Sequence, residues 1–176
     1  MFNKYYLKLV ITVFLIISLV SCTNTNDELY IQTKEDYKKI LQHNIVVSDD
    51  WTLFISGEKT DIPVIIAEES NETFVCVPVL PVLNYLGVKI SDKTNVYELK
   101  YNGEILQIDF HKQIIHTKHS EFNLLKLPTG GKIYYKFFGN DVISCGPSLT
   151  GVLHYLDLDF VYHVYYDSKT IKMNDA

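Results

Sequence analysis

The apolar residues of this chain change rhythm twice. Leu9 to Val20 is an almost unbroken greasy run, interrupted only by Thr12 and Ser18. Further on, Tyr37, Ile40 and Leu41 recur at helical spacing. From Trp51 onward, short alternating bursts are punctuated by Gly, Asn, Ser and Pro. Thr33 as N-cap, with Glu35 and Asp36 in the first turn, predicts a short helix over roughly 34–43. Strands are predicted at Trp51–Ile55, Ile62–Ile66 and Thr73–Val77, with turns at Ser56–Lys59 and Glu68–Asn71. Pro63 puts the second of these at a sheet edge or at a strand start. Leu80, Leu83 and Leu86 form one stripe, with Pro81 in the first turn and Gly87 after the last, which predicts a short helix with a buried face. Val96–Tyr101 and Glu104–Phe110 flank Asn102-Gly103, the strongest short hairpin signal because both central residues need positive φ. Gln113–Thr117, Phe122–Leu127, Phe160–Tyr166 and Thr170–Met173 complete the strands, with a loop at Pro128–Gly131 and a turn at Asp167–Lys169.

The pattern repeats. Val82–Ile90 aligns with Val152–Phe160 at an offset of 70, and Cys76-Val77-Pro78 aligns with Cys145-Gly146-Pro147 at an offset of 69. Asn71-Glu72 and Asn140-Asp141 precede the two units. A period this long points to a duplicated supersecondary unit rather than to a solenoid. The expected fold is α+β. It is an antiparallel β-rich module of two related strand–short helix–hairpin units, about 51–110 and 111–173, within one domain at 34–176.

The first greasy run is too short for a transmembrane helix, which needs roughly 20 apolar residues. Lys4 and Lys8 precede it, and Leu19-Val20-Ser21-Cys22 closes it. This reads as a signal peptide over residues 1–21, and the closing run resembles the lipobox of bacterial lipoproteins. The resemblance implies cleavage before Cys22, diacylation of Cys22 through a thioether, and an acylated tether over 22–33. The expected location is a cell membrane or outer membrane, on the extracytoplasmic side. An ordinary secretory leader with an incidental Cys is the alternative.

Without Lys4 and Lys8 the formal charge moves from −5 to −7. All sixteen basic residues are Lys. The absence of guanidinium forks and the acidic balance argue against a nucleic-acid partner. Three Cys do not make a disulfide-dense scaffold.

The strand, Val77-Pro78, the helix ending Tyr85-Leu86-Gly87, Val88-Lys89-Ile90 and the hairpin together resemble the copper amine oxidase N-terminal-like (stalk) domain, over roughly 51–173. The second copy departs, with Gly146-Pro147 for Val-Pro and Asp157 for Gly. The family's copper and quinone belong to another domain, so the resemblance implies no catalysis and no cofactor. It implies a small surface module used as a spacer or for ligand contact.

Several residues could carry chemistry. His111, His116 and His119 cluster, yet the odd spacing of His111 and His116 puts them on opposite strand faces. Edge histidines are one reading and a weak Zn or Cu site the other; the expectation is no metal. Cys76 and Cys145 hold equivalent repeat positions and are a candidate disulfide in an exported protein, or two small buried hydrophobes. No Gly-x-Ser-x-Gly elbow or phosphate-loop spacing exists, and no enzyme is expected. Tyr134, Tyr135, Phe137, Tyr162, Tyr165 and Tyr166 are candidates for a ligand surface, the alternative being cross-strand packing. Partners outside the cytoplasm are then a protein, a peptide or a glycan. An immunity lipoprotein that captures a cationic toxin or antimicrobial peptide is the second expectation. An envelope enzyme or metal-binding accessory protein is the third.

Overall fold

Fourteen short strands and three short helices are arranged as three sheets in the computed structural model, which describes residues 29–92, 96–109, 111–123, 135–138, 141–144 and 146–176. The first helix, α1 (Lys34–Ile40), is shorter than expected but starts where Thr33 predicts. Thr33 and Asp36 form a reciprocal capping box. The Tyr30 hydroxyl donates to Asp36 at 2.6 Å and the Thr33 N–H at 2.8 Å. With the Tyr30 bond contributing most, these donors hold the Asp36 carboxyl down to about 2.

Sheet one has the order β1-β4-β5-β12-β11, from strands Ile45–Ser48, Val64–Glu69, Glu72–Pro78, Asp141–Ser144 and Tyr135–Phe138. Pro63 immediately precedes β4, so it marks a strand start; the edge belongs instead to β1, whose Ile-Val-Val-Ser run sequence reading left unassigned. Sheet two has the order β10-β9-β8-β7-β6, from Glu121–Asn123, Ile114–His116, Glu104–Asp109, Val96–Tyr101 and Lys89–Asp92. Asn102 (φ 46°) and Gly103 (φ 89°) make the expected tight turn between β7 and β8.

Sheet three has the order β13-β14-β2-β3, from Phe160–Tyr165, Thr170–Asp175, Thr52–Ile55 and Glu58–Lys59. Its β14–β2 ladder is parallel, with Thr170 opposite Thr52 and Ile171 opposite Leu53. The other ladders among the described residues are antiparallel, as expected of an antiparallel β-rich module; local turn chemistry does not specify this pairing between distant segments. Sheets also cross the expected 110/111 boundary. Strands β9 and β10 extend the sheet of the first half, while β2 and β3 join the hairpin of the second.

The largest apolar cluster draws on both halves. It joins Leu53 and Ile55 (β2), Leu80, Val82 and Leu83 on α2 (Val79–Tyr85), Tyr97, Leu106 and Ile108 from sheet two, Leu149, Val152 and Leu153 on α3 (Gly146–His154), and Ile171 and Met173 (β14). A second cluster under α1 holds Tyr37, Ile45, Ile65, Ala67 and Cys76.

Helices α2 and α3 end alike. Val88 N–H donates to Leu83 C=O at 3.0 Å and Gly87 N–H to Asn84 C=O at 3.0 Å. Leu158 N–H donates to Leu153 C=O at 3.1 Å and Asp157 N–H to His154 C=O at 3.1 Å. Both ends are Schellman caps, with Gly87 (φ 79°) and Asp157 (φ 58°) in the left-handed position. A Cβ at Gly87 would meet no atom within 4 Å, so only backbone conformation is at stake there. Asp157→Gly is therefore expected to raise stability by about 1 kcal/mol and Gly87→Ala to lower it by about as much. Urea unfolding reads both; equal stability of the two variants would contradict the cap assignment.

Candidate functional site

Alternation along β13 divides its residues between two surroundings. Phe160, Tyr162 and Val164 pack against the main core, and Val161, His163 and Tyr165 point outward. The ladders carry this outer face across the sheet. Val161, His163 and Tyr165 stand opposite Asn174, Lys172 and Thr170. Lys172 and Thr170 stand beside Phe54 and Thr52, and Phe54 opposes Lys59. Cations and rings thus share a face that carries no carboxylate at any of these positions.

Tyr165 is 45% exposed. The Lys172 ammonium lies 5.2 Å from its ring centroid, a cation–π contact, and the His163 ring centroid is 6.3 Å away. Among the described residues neither Lys59 nor Lys172 pairs with a carboxylate. At one end of the face Tyr166 meets Trp51 edge-on, with centroids 5.7 Å apart at 88°. The turn there is fastened by Lys169, whose ammonium is 2.7 Å from Asp50, while the Lys169 carbonyl accepts from Thr52 N–H at 3.1 Å.

Of the candidate ligand-surface residues, Tyr165 and Tyr166 come together on or beside this face. Tyr162 does not: it packs inward and its hydroxyl donates to the Val75 carbonyl at 3.1 Å. Tyr135 and Phe137 are in β11, at the edge of sheet one, in register with Ser144 and Val142. Tyr134, Cys22 and Cys145 lie outside the described residues. Cys76 is fully buried in the cluster beneath α1. Trp51, Phe54, Lys59, His163 and Lys172 were missed by sequence reasoning. The odd spacing of Tyr162 and Tyr165 was the available signal that these two tyrosines face opposite ways.

A second arrangement crosses sheet two. Glu98, Gln107, His116 and Glu121 are consecutive partners in the ladders, so their side chains form one row. Glu98 is largely buried and accepts from Gln107 at 3.2 Å and Lys100 at 2.6 Å. His116 Nδ1 is 3.3 Å from Glu121. A shallow cleft lined by Glu104, Ile105, Gln107, His116 and Lys118 opens beside it. The row supplies two carboxylates and an imidazole; its best-buried acid already accepts from two neighbours, and the one hydroxyl lining the cleft, that of Thr117, donates to the Ser120 carbonyl at 3.1 Å. His154 and Asp159 form another pair at 2.7 Å, both well exposed. Among the described residues no three His, Cys, Asp or Glu side chains are grouped to hold a metal ion.

Comparison of this chain with known families, characterised proteins and solved structures finds no match. Among the described residues no helix is long and apolar enough to cross a membrane.

Proposed function

We propose that this protein is a non-enzymatic lipoprotein, anchored through Cys22 on the extracytoplasmic side of a membrane, that binds a partner through the outer face of sheet three. The observation that carries the reading is the joint exposure of Tyr165, Tyr166, His163, Lys59 and Lys172 on one well-paired sheet. Cations and rings there are left available to a partner instead of being consumed by ion pairs or core packing. The stalk-domain resemblance and a true duplication belong to the same reading. The duplication is supported by the helix ends, whose cap bonds recur at an offset of 70, from Gly87 to Asp157 and from Val88 to Leu158.

Oxidative footprinting tests the face without presuming the ligand. Phe54, Tyr165 and Tyr166 are expected to oxidise more slowly in intact cells than in the purified native protein. Equal rates in both settings would remove the basis for a binding face there.

One observation favours the immunity reading as second choice. Glu69 and Glu72 oppose each other directly across the Ser70-Asn71 turn, with Glu68 beside them, all exposed. The tip is locally acidic, a charge complementary to a cationic peptide. In the footprint, protection centred on Phe74 and the β4–β5 tip would shift the assignment to this reading.

A further inference from the structure

We propose that the outer face of sheet three binds an acidic polysaccharide, a sugar polymer bearing carboxylate or phosphate groups. This rests on the binding-face reading above and names its ligand class. The chain carries a net charge of −5, yet Lys59, Lys172 and His163 share a face whose paired positions carry no carboxylate. Lysine is a compact, hydrated point charge, suited to an anion that keeps much of its own water. Phe54 and Tyr165 sit two strands apart and two residues out of register on this face, about 12 Å by ordinary strand spacing and rise. Such rings offer flat apolar area to the C–H faces of separate sugar rings along one polymer, and the Thr52 and Thr170 side chains stand beside them for sugar hydroxyls.

Other anionic partners fit less well. A peptide adding to a sheet would use N–H and C=O groups along the outer edge of β13 or β3, whereas the cations and rings here project from the face of the sheet. An anionic bilayer spans the whole molecule and meets its net negative charge. A single polymer strand meets only the local face, because fields from elsewhere fade within about 8 Å at physiological salt.

The test is affinity electrophoresis of the native protein in non-ionic detergent, through gels containing polygalacturonate, neutral dextran or polyacrylate. Polygalacturonate is expected to retard the protein well beyond the other two. The double variant Lys59→Gln/Lys172→Gln should weaken that retardation about tenfold, from two exposed charge contacts. Tyr165→Ser should weaken it about fivefold, from one lost ring contact. These positions are exposed, and circular dichroism is expected to match the parent. Equal retardation by polyacrylate would reduce the effect to ion exchange and overturn the proposal. So would unchanged retardation of the lysine variant, or displacement by short-chain phosphatidylglycerol at lower concentration than by galacturonate oligomers. If Phe54 and Tyr165 are protected in cells while polygalacturonate leaves the purified protein unretarded, the glycan assignment falls and the binding face stands.

Discussion

Leu83→Ala and Leu153→Ala are each expected to cost about 2–5 kcal/mol, enough to consume a large part of the 5–15 kcal/mol that holds a typical domain together. Both side chains are essentially inaccessible to water, at 1% and 0% exposure, and both sit in the cluster shared by helices α2 and α3 and the sheets. Truncation removes apolar contact and leaves a void that flanking strands cannot readily fill, because each is tied to its neighbour by ladder bonds. The helix ends should survive, since the Leu83 and Leu153 carbonyls that accept the cap bonds are backbone groups. The measurement is urea unfolding, with the midpoint falling and the slope unchanged. A loss under about 1 kcal/mol at either site would mean that the helix does not seal the core.

Cys22→Ala is expected to move nearly all of the protein out of the membrane fraction. Two acyl chains, at about 0.8 kcal/mol per buried methylene, hold a protein where a single chain binds only marginally. Detergent phase partitioning of the parent and the variant reads the effect directly. A variant that stays in the detergent phase would refute the lipid anchor.

Local chemistry was the legible part of the chain. The capping residues Thr33 and Asp36, the Asn102-Gly103 turn and the apolar stripe of α2 are written within a few residues of one another, and each appears where its chemistry places it. Strand β1 escaped because Ile45-Val46-Val47 is a short apolar run, which periodicity alone does not assign. The parallel β14–β2 ladder escaped for a different reason. Its register is set by burial of Leu53, Ile55, Ile171 and Met173 in one core, a collective property with no local signature. The candidate site inherits the same blindness. Tyr165 and Tyr166 were readable as an aromatic pair, but Phe54 and Lys59 reach Lys172 only through that long-range pairing. A face assembled from two remote segments has a composition that no window of sequence displays.

The β14–β2 ladder also sets a timetable. Thr52 and its partner Thr170 are 118 residues apart. At synthesis rates of 5–20 residues per second, β2 emerges about 10 s before the strand that completes it. During that interval a bare apolar ribbon is open to pairing with nascent neighbours, the hazard that escorting chaperones relieve.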